Sequence, residues 1–192
     1  MTFHAFLGVL SAVIIGLAVV KLLQGILWMI NSSGQIKVYW VHLVWIGFTI
    51  FGAFLHFWNI VKQRDIIGDV NLYGVADMLW LPMFSYILAG LLFPKSAEDH
   101  SAEDRPFDLR DFYYKNHAWI FGTYVVMVLT NAGNLRRIVT QPLELDTLLS
   151  VLPGVLSFGA LAITRKEWVH MGIAAIMPIM LFLRILFSGS SW

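Results

Sequence analysis

Long apolar runs separated by short polar stretches make up most of the chain. A helix needs about 20 mostly apolar residues to cross the roughly 30 Å of hydrocarbon in a bilayer. Segments of about this length recur along the whole sequence, which predicts an all-α polytopic transmembrane helix bundle of about six spans in a single membrane domain, residues 1–192. The predicted spans are 5–30, 38–61, 73–93, 117–135, 145–163 and 168–187.

The fifth segment differs from the others because Pro153-Gly154 lies in its middle. Transmembrane helices tolerate such a break when neighbouring groups satisfy the freed backbone. A five-span arrangement in which 145–163 re-enters the membrane is therefore the structural alternative. The first segment has no basic region before its apolar run and is too long for a signal peptide, so we expect a first span that is retained.

The polar connections define two sides. With six spans both chain ends lie on side A, and the connections around 31–37, 95–115 and 164–167 lie on side B. The longest connection, 95–115, is predicted as a surface loop and carries half of the twelve acidic residues. Five lysines and arginines belong to side A and seven to side B, so the positive-inside rule leaves the orientation open, with side B slightly favoured as cytoplasmic.

Composition strengthens the membrane prediction. Hydrophobic residues make up 58% of the chain and charged residues 13%, against about 45–50% and about 25% in soluble domains. A soluble domain of this size has too much surface to hide that apolar content, so we expect the lipid bilayer as the main partner. The net charge of +1 predicts no nucleic-acid partner.

Several kinds of chemistry lack a signal. The chain has no cysteine, which excludes disulfides, thiolate metal sites and cysteine nucleophiles. No Gly-rich phosphate loop, HExxH pair or Gly-x-Ser-x-Gly elbow occurs. A non-enzyme is therefore favoured over an enzyme.

Small residues recur every fourth position on the first span, at Gly8, Ala12 and Gly16. Such a ridge lets two helices approach closely in lipid. It predicts packing inside one subunit or, as the alternative, a contact between subunits of a homo-oligomer.

Lys21 is the first ionisable candidate, because charged groups at membrane depth are costly and often functional. It lies roughly 13 Å from the side B end of its span, at 1.5 Å per residue. Gln24 shares its helix face. We expect Lys21 to face a polar cavity or pair with another group; the alternative is a lysine that partly snorkels towards the headgroups.

Three histidines lie near the side B starts of alternate spans: His42, His117 and His170. If these spans are neighbours, the imidazoles could form a metal site, a proton relay or a titrating gate. The alternative is that each is an ordinary interfacial residue. No metal is predicted, but these histidines would be its ligands if one is bound.

Further pathway or gate candidates lie towards side A: His56, Asp77 and Asn131. The fourteen-residue spacing of His42 and His56 resembles the haem-binding helix of b-type dihaem cytochromes. The matching position after His117 is Asn131, so the resemblance implies at most one haem b, between His42 and His117 or His170.

A second resemblance rests on three segments: 37–45 (KVYWVHLVW), 92–94 (LFP) and 108–122 (DLRDFYYKNHAWIFG). They resemble an uncharacterised family of small bacterial polytopic inner-membrane proteins of unknown function. The resemblance extends over most of the chain, from 22–25 (LLQG) to the fourth span. It implies a multi-pass location in the bacterial inner membrane and brings no activity, cofactor or ligand.

Together these features predict a small homo-oligomeric membrane channel or permease for ions, protons or a small solute. The first alternative is a redox protein that binds one b-type haem. The second is a non-catalytic auxiliary membrane subunit whose loop 95–115 docks a partner protein. The residues predicted to line or gate a pathway are Lys21, Gln24, His42, His56, Asp77, His117, Asn131 and His170.

Overall fold

The computed structural model describes residues 3–63, 72–94, 106–130 and 145–188. Helices account for nearly all of these residues, which confirms the predicted all-α class. The helices are α1 (Phe3–Asn31), α2 (Trp40–Gln63), α3 (Leu72–Leu91), α4 (Leu109–Thr130), α5 (Leu145–Ile163) and α6 (Glu167–Ser188). A short 3-10 helix (Ser33–Gln35) and the two-residue strands β1 (Ile36–Lys37) and β2 (Phe107–Asp108) complete the described part.

Two helices in the described part are long and apolar enough to cross a membrane, through Phe6–Asn31 of α1 and Trp40–Trp58 of α2. Core helices of water-soluble proteins can pass the same test, but they are mostly buried. Here only 28% and 33% of the most apolar windows are buried. Both helices therefore turn most of their residues outwards, which supports a membrane location.

The remaining helices also carry apolar surface. Shorter apolar stretches occupy Met78–Leu91 in α3, Val151–Ile163 in α5 and Glu167–Leu181 in α6. Every helix exposes large hydrophobic side chains, including Phe6, Phe54, Met83, Trp119, Leu156 and Ile179. Two described helices are long and apolar enough to cross a membrane, so the six predicted spans stay a proposal.

The fifth predicted segment is one uninterrupted helix. α5 runs from Leu145 to Ile163 with Pro153 inside it. A Cβ on Gly154 would lie 3.3 Å from the methyl groups of Val128, so α4 and α5 approach closely at this glycine. The backbone break that a re-entrant loop requires does not occur at Pro153-Gly154.

α2 is the central helix of the bundle. It contacts α1, α3, α4 and α6, while α1 packs mainly on α3 and α4 mainly on α5. Its inward face follows the helical period expected of a packed stripe. The buried residues on that face are Val41, His42, Trp45, Ile46, Thr49 and Ala53.

Part of the predicted surface loop 95–115 forms regular structure, because β2 and the start of α4 lie within it. α4 begins at Leu109 rather than at His117, because Asp108 caps it: the Asp108 carboxylate accepts from the backbone N–H of Arg110 at 2.9 Å and of Asp111 at 3.4 Å. β2 pairs in parallel with β1, Ile36 opposite Phe107. Residues 95–105 of the predicted loop lie outside the described residues.

The last turns of α1 extend beyond the end of α3. Gly25 lies directly against the ring of Phe93, which follows α3, so closely that a Cβ there would overlap the ring. Trp28 packs edge-on against Phe107, with ring centroids 5.4 Å apart. The end of α1, the β1–β2 pair and the start of α4 thus form a cap on side B, which we call the side B cap.

The small-residue ridge of α1 is not used for close packing at Gly16. Gly16 is exposed, and nothing lies within 4 Å of the place where a Cβ would be. The buried face of α1 lies elsewhere, at Leu7, Ser11, Ile15, Ala18 and Leu22. Gly16 therefore has room for a contact with a second subunit, which is the alternative that the sequence predicts.

Gly25→Ala should lower the free energy of unfolding by about 1–3 kcal/mol, because the buried Phe93 ring must move to admit the new methyl group. Gly16→Ala is the matched control, and it should be neutral or stabilising by up to about 1 kcal/mol, since it adds helix propensity in open space. Helical circular dichroism followed against denaturant in detergent measures both. Equal stabilities would contradict the contact between α1 and Phe93.

Candidate functional site

The three side B histidines are buried where α2, α4 and α6 meet. His42, His117 and His170 are 0%, 4% and 0% exposed. The rings of His117 and His170 lie 5.9 Å apart, and the Tyr113 ring lies 5.8 Å from His42 and 5.3 Å from His170. The histidines are therefore brought together around Tyr113, and we call these four residues the His–Tyr cluster.

His170 uses both ring nitrogens. Its Nε2 lies 2.9 Å from the carbonyl oxygen of Thr164, and its Nδ1 lies 2.6 Å from the hydroxyl of Tyr113. A carbonyl can only accept, so Nε2 carries the proton of the neutral ring. Nδ1 then accepts from the Tyr113 O–H, and this bond joins α4 to α6 deep inside the cluster.

The other two histidines are held by backbone carbonyls. His42 donates from Nε2 to the Leu92 oxygen at 2.8 Å, and His117 donates from Nδ1 to the Tyr114 oxygen at 2.7 Å. The second nitrogen of His42, Nδ1, is buried and has no hydrogen-bond partner. Rings of Phe93, Phe112 and Tyr113 surround His42 edge-on.

Tyrosines continue the cluster towards the surface. The hydroxyls of Tyr39 and Tyr114 lie 3.2 Å apart. Burial raises the pKa of Tyr39 above the usual range of a phenol, and the hydrogen bond with Tyr114 acts in the same direction. Burial also raises the pKa of Tyr113, opposed in part by the nearby indole of Trp45. Both hydroxyls therefore stay protonated and able to donate.

Below the cluster, towards the bundle centre, lies a layer of aromatic rings. Trp45 packs edge-on to Phe121 with centroids 4.9 Å apart, and Tyr124 stacks on Phe158 at 4.7 Å. Thr49 donates to the Trp45 carbonyl at 2.7 Å, so the Tyr124 hydroxyl donates to Thr49 across 2.6 Å. This layer is closely packed, and its hydroxyls are paired within it, while the buried Nε1 of Trp45 has no hydrogen-bond partner.

The described residues do not place a set of metal ligands in the His–Tyr cluster. In the part of the chain that the structure describes, no three histidine, aspartate or glutamate side chains are placed to hold one metal ion. A haem between His42 and His170 does not fit, because the Tyr113 ring fills the space beside both rings. Leu92 also engages His42 Nε2, and Thr164 and Tyr113 engage the two nitrogens of His170, while His42 Nδ1 has no partner. A haem between His42 and His117 stays a prediction.

Lys21 lies against the last turns of α3, near Tyr86 and Gly90. Its ammonium nitrogen lies 4.8 Å from the centre of the Tyr86 ring, a cation–π contact. A Cβ on Gly90 would lie 2.9 Å from the same nitrogen. Since α3 ends at Leu91, the charge lies beside the last turns of that helix, while α1 continues to Asn31. Whether Lys21 snorkels or faces a polar cavity stays a prediction.

The remaining predicted residues do not join the cluster. Gln24 is exposed, and His56 is partly buried with an unpaired Nε2. His56 lies about 21 Å from His42 along α2, at 1.5 Å per residue. Asp77 belongs to α3, but its side chain lies outside the described residues, as does all of Asn131.

An apolar groove of about 450 Å³ runs between α2 and α6. It opens outwards and offers no titratable side chain, so it is a surface for apolar contacts and not a place for chemistry. Its lining residues are Trp40, Val44, Gly47, Phe48, Phe51, Ala174, Ala175, Pro178 and Leu181.

Comparisons of the chain with protein-family models, with curated proteins and with solved structures find no match. The chemistry of the His–Tyr cluster is therefore argued from its geometry. The resemblance to a family of small bacterial membrane proteins stays a prediction.

Tyr113→Phe should lower the free energy of unfolding by about 1–3 kcal/mol, because it leaves the buried Nδ1 of His170 without a donor. Tyr86→Phe, which removes an exposed hydroxyl, is the matched control and should change stability by less than about 0.5 kcal/mol. Denaturant unfolding in detergent gives both values. A Tyr113→Phe protein as stable as the Tyr86→Phe protein would contradict the buried bond.

Proposed function

We propose that the protein is a multi-pass protein of the bacterial inner membrane that acts as a small homo-oligomeric channel or permease for protons, ions or a small solute. The observation that carries this proposal is the buried hydrogen bond between Tyr113 and His170, with His117 beside it. It puts a titratable ring at the junction of three helices, near one end of the bundle.

Protonation of His170 changes this junction. A neutral imidazole can take up a second proton, and its surroundings decide how readily it does so. A second proton on Nδ1 removes the acceptor of the Tyr113 O–H, and the hydroxyl must turn to accept instead. The change alters the contact between α4 and α6, as a gate that responds to pH requires.

The pathway itself belongs between subunits. Within the subunit, aromatic rings fill the space below the His–Tyr cluster, from Trp45 to Phe158. Two outward surfaces are suited to contact with another copy: the open ridge at Gly16 and the groove between α2 and α6. Copies in contact along such surfaces would enclose a path that a single subunit does not contain.

Flux in liposomes tests the proposal. His170→Gln keeps groups that can bond to Tyr113 and Thr164 but cannot take up a proton, so pH-dependent flux should fall by about tenfold or more. Thr123→Val is the control, because that hydroxyl bonds only to its own helix. Proteoliposomes containing a pH-sensitive dye, with folding checked by circular dichroism, give the rates. Unchanged flux in folded His170→Gln protein would remove the gating role.

Gly16→Leu tests the homo-oligomer. The added side chain meets no atom of its own subunit within 4 Å of its Cβ, so the subunit should fold. If the ridge joins subunits, the larger residue should keep them apart and lower the mass of the particle in detergent. Leu17→Phe adds bulk to an exposed position off the ridge and should leave the mass unchanged. Light scattering after size exclusion gives the mass, and an unchanged oligomer in Gly16→Leu would rule out the ridge.

A second candidate is a non-catalytic auxiliary subunit that docks a partner protein on side B. The favouring observation is the charged, exposed start of α4, where Arg110 pairs with Glu167 at 2.7 Å beside Asp111 and Lys115. Flux no greater than in protein-free liposomes, together with a second chain that co-purifies from native membrane, would favour this candidate over a permease.

A further inference from the structure

Lys21 carries a positive charge on an otherwise apolar outer surface. Its neighbours on α1, Leu17 and Val20, are exposed, and so are Tyr86 and Ile87 on α3. The Lys21 side chain is itself partly exposed beside them. The ammonium group therefore lies at the surface of the shallow seam between α1 and α3, and not in the core of the bundle.

Among the side chains that the structure describes, this charge has no anionic partner. Of the lysines and arginines with described side chains, Arg110 alone is in an ion pair. The contacts of Lys21 are the face of Tyr86 and the backbone at Gly90. A cation–π contact orients the ammonium but leaves its charge uncompensated, and an ammonium in apolar surroundings is stable only with a partner.

The depth of the ammonium indicates which anion can reach it. Leu92, just after α3, bonds to His42, which lies within the first turn of α2 beside the exposed Trp40. The end of α3 is thus level with the start of α2. Exposed tryptophans of this kind lie at the headgroup level of a bilayer. Lys21, at Gly90, is therefore within reach of lipid phosphates.

We propose that Lys21, Tyr86 and the notch at Gly90 form a binding site for the phosphate of an anionic phospholipid. The acyl chains lie along the exposed apolar faces of α1 and α3. An anionic lipid is preferred because a zwitterionic headgroup brings its own cation to the phosphate, whereas here Lys21 supplies it. The site rests on the membrane location and is independent of any transport.

Gly90 has a defined part in this site. The absence of a side chain there leaves room for the ammonium against the backbone of α3. A methyl group would come within 2.9 Å of the nitrogen, so the flexible lysine must swing away from Tyr86. Gly90→Ala therefore displaces the charge without removing it, and the fold can absorb the change because the end of a lysine side chain moves easily.

The test is a lipid titration of the full chain, delipidated in a nonionic detergent and followed by thermal unfolding. Phosphatidylglycerol should stabilise the wild-type protein more than phosphatidylcholine at equal concentration. Lys21→Met should weaken phosphatidylglycerol binding by about fivefold, the value of one interfacial positive charge. Lys21→Arg should keep the binding, and Gly90→Ala should weaken it.

Lys37→Met is the matched control, because it removes an exposed positive charge on the same side and should leave binding within about twofold of wild type. Equal loss in Lys37→Met and Lys21→Met would overturn the site in favour of general attraction. Equal stabilisation by inorganic phosphate would overturn the lipid as its ligand. The unfolding temperature of each variant without lipid separates a folding defect from lost binding. If Lys21→Met does not fold, the Gly90→Ala protein decides: phosphatidylglycerol binding as strong as that of the wild type would overturn the proposal.

Discussion

The packing of Tyr113 between His42 and His170 holds the side B ends of α2, α4 and α6 together. An unpaired buried polar group costs about 1–3 kcal/mol, so a phenol and two imidazoles at this depth need partners, and every polar atom of the three except His42 Nδ1 has one. The partners come from three different places: Thr164 before α6, Leu92 after α3, and the tyrosine itself. Satisfying these few bonds therefore fixes where the ends of four helices lie, and the side B cap is built on that arrangement.

Sequence reasoning succeeds where the physical cause is local. Apolar length and helical period predict the helices, and α2 and α5 match their predicted bounds closely. The early start of α4 had a local signal too, since Asp108 stands where a helix cap belongs. The signal is weak because a charged stretch before an apolar one is equally typical of a surface loop. The pairing of β1 with β2 had no such signal, because it depends on helices far apart in the chain coming together.

The candidate site shows the same division. His42, His117 and His170 could be singled out because ionisable groups stand out in an apolar sequence. Tyr113 carries no comparable signal, since a tyrosine near the end of a span is ordinary, and only its position between two histidines shows its part. The sequence gives the position of Lys21 relative to the end of its own helix, α1. Its contacts with Tyr86 and Gly90 depend on how far α3 is shifted along α1, and no pattern in the sequence gives that shift.

The short parallel pair of β1 and β2 also sets an order of assembly. Ile36 meets Phe107, and all of α2 and α3 lies between them in the chain. The pair cannot form until residues at the start of α4 have left the ribosome. During synthesis the Tyr39 hydroxyl therefore lacks the partner that Tyr114 of α4 provides, and the His42 ring lacks the cover of Phe112 and Tyr113. The side B cap is therefore a late step in folding, completed after α1, α2 and α3 have been synthesised.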